Sequence, residues 1–194
     1  MKKNRILSML GVISLLAAVS LFAISFAQES GGEPAQGMPE LGQPKEMKQL
    51  EHLVGKWEVH QKYQMDPTQE WQEMTGAAEF QMAVGGCALV MNFSGEMMGM
   101  PFKGMMVQCY SREYSQWQAI WTDNMGASIT VYTGNMQGDK LVLTGTEKWG
   151  GQEYLARIST FNMKDTSYDW TYEMSMDGGK TWVKSMESHY VKKM

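Results

Sequence analysis

The feature that most constrains the fold is an alternation of apolar and polar residues that begins at Lys56 and continues to the end of the chain. In the first run, Trp57, Val59 and Tyr63 share one face, while charged residues occupy the other. A period of two is typical of β-strands that bury one face and expose the other. The alternation predicts about ten strands, at residues 56–64, 70–83, 87–96, 102–110, 116–122, 128–133, 140–148, 153–162, 167–175 and 182–191.

The connections between these runs are short, and Gly, Asn and Asp are frequent in them. Short connections predict antiparallel neighbours, because a parallel crossover needs a dozen or more residues. In an open sheet, ten strands in series would leave two edges with unpaired backbone groups, and closure removes both. We therefore predict an all-β fold, a single up-and-down antiparallel β-barrel of about ten strands, with a two-sheet sandwich as the alternative.

The N-terminus has the layout of a secretion leader. A basic head over residues 1–5 is followed by residues 6–27, which carry no charge, and Ser25 and Ala27 supply small residues before a cleavage point. This pattern predicts a signal peptide of residues 1–27, cleavage after Ala27, and a periplasmic or secreted protein. The apolar run is also long enough to span a membrane, so the alternative is an uncleaved anchor and membrane contact through the leader alone.

Charge and length limit what the mature chain can be. Removing Lys2, Lys3 and Arg5 from the 17 basic residues leaves 14 against 21 acidic residues, a net charge of about −7. Nucleic acid is therefore not an expected partner, because phosphate binding needs clustered Lys and Arg.

Residues 28–44 are rich in Gly, Pro, Gln and Glu and are predicted to be a flexible tether. Residues 45–194 suffice for one domain with a single core.

One segment before the first strand has a helical pattern, from Lys45 to Val54. Its apolar stripe is predicted to comprise Met47, Leu50 and Val54, with Leu53 beside them. Gly55 directly follows this segment and is predicted to cap the C-terminal end of the helix. The helix is therefore expected to precede the barrel.

The helix that runs into Gly55-Lys56-Trp57 resembles the lipocalin and fatty-acid-binding-protein superfamily of calycin-like β-barrels. In that superfamily the helix or coil closes one barrel end and the Trp packs across it. A basic residue late in the lipocalin chain covers the Trp, and here Lys192 or Lys193 could do so. The run Trp121-Thr122-Asp123-Asn124 is similar to the Thr-Asp loop of lipocalins.

A more specific resemblance rests on residues 95–102, Gly-Glu-Met-Met-Gly-Met-Pro-Phe, together with Gly-Lys-Trp and residues 121–126. Over about Lys45 to Met194 the chain resembles an uncharacterised bacterial family of the DUF 1579 type, a distant relative of the calycin-like barrels. The resemblance implies the barrel fold. It brings no catalytic residues, and none is predicted.

Cys87 and Cys109 are the two cysteines of the chain. In an exported protein such a pair predicts a disulfide, and free buried thiols are the alternative. If the third and fourth strands form a hairpin, the midpoint of the two positions is residue 98, within the Met-rich turn. The cysteines would then face each other across the hairpin, within reach of a bond.

No cofactor and no metal site is predicted. His60 and His189 would be neighbours if the first and last strands close the barrel, and a related barrel family binds haem through a histidine. The alternation, however, turns both side chains toward solvent. Thioethers suit Cu(I), but the Met cluster at residues 97–106 contains no His or Cys, so its methionines are predicted to serve packing.

The chain contains 20 Met, 7 Trp and 8 Tyr residues, a combination that makes adaptable apolar walls. We therefore expect a binding module for a small apolar or amphipathic molecule. Its predicted lining is Trp57, Tyr63, Phe80, Met91, Phe93, Trp121, Tyr168 and Trp170. Two alternatives remain open: a barrel filled by its own side chains that acts as a structural or interaction domain of the envelope, and a small enzyme that uses the cavity.

Overall fold

The computed structural model describes residues 40–194, so the predicted leader and residues 28–39 of the predicted tether lie outside the described residues. Ten strands follow a short helix. They are β1 Gly55–Tyr63, β2 Gln72–Ala83, β3 Ala88–Met97, β4 Met100–Ser111, β5 Gln116–Asp123, β6 Thr130–Gln137, β7 Lys140–Trp149, β8 Gln152–Phe161, β9 Ser167–Ser175 and β10 Val183–Lys192. Each predicted strand is present with bounds within two residues, except that β6 extends to Gln137.

Strands adjacent in sequence pair antiparallel, and β10 pairs with β1 to close the barrel. At the seam, Val59 lies opposite Tyr190. The predicted up-and-down barrel is confirmed and the sandwich alternative is wrong. Along β1 burial alternates strictly, with Trp57, Val59, Gln61 and Tyr63 inside and the intervening residues exposed. The period-two pattern therefore marks the inner face of the wall, as expected for a half-buried sheet.

The predicted N-terminal helix is present, but it is a 3₁₀ helix over Lys45–Leu53. Its buried residues are Met47, Leu50 and Leu53, which recur every third position, because a 3₁₀ helix has three residues per turn. The prediction that Val54 belongs to the stripe is wrong, since Val54 follows the helix and is exposed. Gly55 comes next with a φ of 126°, a conformation that favours glycine.

Trp57 fixes this helix across one end of the barrel. Its indole Nε1 donates a hydrogen bond to the Leu53 carbonyl oxygen at 2.7 Å, and its ring packs edge-on against Tyr168 with centroids 5.1 Å apart. Lys192 Nζ lies 5.5 Å from the centroid of the Trp57 ring and donates to the His52 carbonyl oxygen at 2.8 Å. Lys192 is therefore the late basic residue that covers the Trp, as the lipocalin resemblance implies.

The residues just before the helix contact the barrel. Arg112 on the β4–β5 turn donates to the carbonyl oxygens of Glu40 at 3.0 Å and Gly42 at 3.1 Å, and Pro44 is buried. The C-terminal end of the predicted tether is thus held at the helix end of the barrel. No helix within residues 40–194 is long and apolar enough to cross a membrane.

Cys87 and Cys109 are free thiols in the structure. The β3–β4 hairpin turns at Met98 and Gly99, both with positive φ, and Leu89 lies opposite Gln108. Cys109 is therefore one residue out of register with Cys87, and the predicted direct opposition is wrong. Burial, with a smaller contribution from the nearby Cys87, raises the pKa of the Cys109 thiol. The disulfide itself stays a prediction.

Candidate functional site

The barrel encloses a cavity of about 410 Å³ whose wall is formed by inward-facing side chains. Leu53 of the helix borders it at the closed end. At the opposite end, where β1 leads into its loop, Met65, Met125 and Met176 line the cavity and are also exposed. The cavity is therefore closed by the helix at one end and reaches the surface at the other, which we call the mouth.

Six of the eight residues predicted to line a ligand site are on this wall: Phe80, Met91, Phe93, Trp121, Tyr168 and Trp170. Trp57 and Tyr63 point inward but are not part of it. Trp57 is packed beneath the helix. The Tyr63 hydroxyl donates to Gln72 Oε1 at 2.7 Å and accepts from the Met98 amide at 3.3 Å. That a ligand contacts any of these residues stays a prediction.

A polar group interrupts the apolar wall on β6 to β9. Glu147 is surrounded by three phenols: the Tyr132 hydroxyl donates to its Oε1, the Tyr154 hydroxyl to its Oε2 at 2.7 Å, and the Tyr172 hydroxyl to its Oε2 at 2.9 Å. The Tyr172 and Tyr154 hydroxyl oxygens are 3.2 Å apart. All four residues line the cavity. We call them the Glu147 cluster.

The strand register explains how these residues meet. Tyr154 lies directly opposite Glu147 across the β7–β8 pair, and Tyr132 lies opposite Gly145 across the β6–β7 pair. A Cβ atom at Gly145 would overlap the Val131 carbonyl oxygen and crowd the Tyr132 ring. Glycine at 145 therefore leaves the space in which the Tyr132 side chain crosses β7 toward Glu147.

Burial strengthens the preference of the three phenols for the protonated form. It raises the pKa of Tyr132 and of Tyr172 far above the usual value for tyrosine, and the negative charge of Glu147 raises both further. Burial likewise raises the pKa of Tyr154 to about 12. The hydroxyls are therefore protonated at neutral pH, and each can donate its hydrogen to the carboxylate.

Asp123, at the end of β5, has a different role in the wall. Its Oδ2 accepts from the Trp121 indole Nε1 at 2.8 Å, and its Oδ1 accepts from the amides of Met125 at 2.9 Å and Gly126 at 2.7 Å. The carboxylate thus holds the turn after β5 and orients the Trp121 ring along the wall, where it lies against Gly104. This is the part of the chain that resembles a Thr-Asp loop.

The Glu147 cluster was not predicted from the sequence. A signal was available, because Glu147 falls on the same face of β7 as the buried Leu141 and Leu143. A carboxylate on an apolar face needs partners, and tyrosines on the inner faces of β6, β8 and β9 can supply them.

The histidines on the strands lie outside the cavity. His60 and His189 are directly opposite each other on β1 and β10, and both are exposed, as predicted. His60 pairs with Glu58 at 3.1 Å and His189 with Asp169 at 2.7 Å. Within residues 40–194, no group of three or more His, Cys, Asp or Glu side chains is arranged to hold a metal ion.

Comparison with known proteins identifies one family and several solved structures with a similar fold. Residues 43–192 match the family described as "Protein of unknown function (DUF1579)", so the predicted resemblance is confirmed. No curated protein matches the chain. Among solved structures, Rv2717c from M. tuberculosis is 14% identical with a TM-score of 0.57, covering 78% of this chain and 99% of that one.

A second solved structure, the S-type phycobiliprotein lyase CPES from Guillardia theta, is 11% identical with a TM-score of 0.51. The match covers 76% of this chain and 92% of the lyase. At these identities the two structures establish a shared barrel fold and nothing about activity.

Proposed function

We propose that this chain, which belongs to the DUF1579 family of proteins of unknown function, is a binding protein for a small apolar or amphipathic molecule. The observation that carries the proposal is the cavity of about 410 Å³ inside the barrel. Its size falls within the range of roughly 300–1,000 Å³ typical of small-molecule sites. A ligand would enter at the mouth, and its apolar part would lie toward the helix.

The composition of the wall supports an apolar ligand. Aromatic side chains such as Phe93, Trp121 and Trp170 line the cavity together with the thioethers of Met91 and other methionines. Aromatic rings contribute large apolar surfaces, and flexible thioethers adapt to irregular shapes. The same cavity argues against the alternative of a barrel filled by its own side chains, since well-packed interiors have few voids larger than a water molecule.

Filling the cavity is expected to weaken binding strongly. Thr160 on β8 lines the cavity between Leu141 and Trp170 on the neighbouring strands. In Thr160→Trp an indole would occupy the ligand's space. Titration with the apolar dye N-phenyl-1-naphthylamine, followed by fluorescence, should show one saturable site per wild-type chain. The variant should bind about tenfold more weakly or worse, a loss of ~1.4 kcal/mol or more.

Thr146→Trp is the matched control, because Thr146 is exposed on the outer face of β7 and the same side chain is added there. It should bind the dye like the wild-type protein. Equal binding by wild type and Thr160→Trp would mean that the dye binds elsewhere, and the cavity would then not be the site.

We also propose that the protein acts in the periplasm or outside the cell, released by cleavage after Ala27. The support is the basic head, the uncharged run and the small residues at Ser25 and Ala27. The mass of the denatured chain purified from its own cells provides the test. It should correspond to a chain that begins at Gln28, whereas a mass that retains residues 1–27 would favour the anchored alternative.

A further inference from the structure

The Glu147 cluster is the polar part of an otherwise largely apolar wall. Glu147 lies near the mouth, two residues before the end of β7, whereas Leu53 and Phe80 border the cavity toward the helix. The cavity therefore has a polar region on the mouth side and an apolar region at its closed end. An amphipathic ligand matches this division if its head group lies beside Glu147.

The hydrogen bonds of Glu147 leave one acceptor position free. An ionised carboxylate has two oxygens with about four lone-pair positions. Oε2 accepts from Tyr154 and Tyr172, and Oε1 accepts from Tyr132. Within the described residues, one position on Oε1 remains without a donor. Since the three phenols use their hydrogens within the cluster, what the cluster offers a ligand is acceptor oxygens and a negative charge.

Among the described residues, two other charged residues border the cavity, Asp123 and Lys148, and neither neutralises this carboxylate. Asp123 is acidic and is already bonded to Trp121 and to the turn after β5. Lys148 is exposed and follows Glu147 directly on β7, so its side chain leaves the opposite face of the strand. The inner wall therefore carries net negative charge beside the cluster and favours a cationic head group.

Indole rings elsewhere on the cavity wall also favour a cation. The Trp170 ring is stacked near the Tyr172 ring, with centroids 6.4 Å apart, and Trp170 and Trp121 both line the cavity and are incompletely buried. The negative face of an indole attracts an ammonium group, and the attraction is strongest where water is excluded. Carboxylate and aromatic faces thus point to the same ligand chemistry.

We propose that the Glu147 cluster recognises the cationic nitrogen of an amphipathic amine, which donates an N–H hydrogen bond to Glu147 while its apolar part lies between Phe80 and Leu53. This inference rests on the proposed function and specifies its ligand class. It predicts a charge preference that a cavity selecting for apolar character alone would not have.

Three probes that share a naphthalene ring distinguish recognition of positive charge from selection for apolar character alone. They are 1-naphthylmethylamine as the cation, 1-naphthalenemethanol as the neutral form and 1-naphthoate as the anion. Titration calorimetry of the wild-type protein near pH 7 should show the amine binding about tenfold tighter than the alcohol, and the naphthoate binding most weakly. In Glu147→Gln the amine should lose this advantage, while the alcohol binds about as before. The charge-assisted hydrogen bond accounts for a difference of this size.

Glu153→Gln is the control, because Glu153 lies on the outer face of β8 and its replacement changes net charge equally. This variant should retain the preference for the amine. If wild type binds all three probes equally, the inference is overturned and the proposed function stands. If it binds none of them, the proposed function itself fails. The wild-type ranking is decisive even if Glu147→Gln does not fold.

Discussion

Replacing Trp57 with alanine is expected to lower the free energy of unfolding by about 3–5 kcal/mol. The side chain is fully buried, its indole holds the Leu53 carbonyl, and its ring packs against Phe80 and Tyr168. Removing it leaves a void beneath the helix and an unsatisfied carbonyl at the end of the helix. Urea unfolding followed by circular dichroism measures the loss, which for a domain of this size lowers Tm by roughly 10 °C.

Trp149→Ala provides the comparison, because Trp149 is 64% exposed at the mouth end of β7. A surface change of this kind should alter stability by no more than about 0.5 kcal/mol. Equal stability of Trp57→Ala and Trp149→Ala would show that the packing between helix and barrel contributes little to the fold.

Gly145→Ala is the second substitution with a large expected effect. A methyl group there would overlap the Val131 carbonyl oxygen and approach the Tyr132 ring, so the backbones of β6 and β7 must separate. Overpacking of this type costs about 1–3 kcal/mol, and urea unfolding should show that loss. Because Tyr132 is displaced, the variant should also bind 1-naphthylmethylamine more weakly than the wild-type protein does.

Gly126→Ala, in a loop, is the control for this substitution. The φ angle of Gly126 is not in the left-handed region, and the atom nearest to a new Cβ, Ser128 Oγ, is 3.3 Å away. Its stability should stay within about 0.5 kcal/mol of wild type. If Gly145→Ala were equally well tolerated, the close approach of β6 and β7 would not be what fixes the Glu147 cluster.

The barrel could be predicted because strand patterns and the lengths of connections are visible in short stretches of the sequence. Strands such as β1 show their inner face through alternation, at Trp57, Val59 and Tyr63, and short connections favour antiparallel pairing because a parallel crossover needs a dozen or more residues. Closure followed from the cost of open edges. Whether the helix would have 3.6 or three residues per turn was not evident, because Leu53 and Val54 are both apolar and the choice depends on packing against Trp57.

Register was harder to predict than strand identity. The turn at Met98 and Gly99 has two residues with positive φ, so the hairpin is centred between them instead of on Met98. That half-residue difference moves Cys109 away from the position opposite Cys87. A midpoint argument cannot distinguish two-residue from three-residue turns, whereas the φ angles that fix turn type do so.

The same distinction applies to the cavity: the face on which a residue lies could be predicted, but which residues meet there could not. Alternation assigned Phe80, Trp121 and Trp170 to the inner face, and these residues line the cavity. Alternation does not show how far along the barrel axis a residue lies. The predicted lining therefore also includes Trp57, which is packed beneath the helix. The Glu147 cluster draws one residue from each of four strands, and their meeting depends on register and on the space left at Gly145. Such a juxtaposition is a property of the folded barrel and not of any one segment.

The most direct test of a ligand-binding cavity is native mass spectrometry of the protein purified gently from its own cells. We predict that the wild-type chain and Thr146→Trp carry an additional small-molecule mass, released on denaturation, and that Thr160→Trp is bare. An amine-containing ligand would agree with the Glu147 cluster as its receptor. A bare mass for wild type and Thr146→Trp, or the same bound mass on Thr160→Trp, would contradict binding in the cavity.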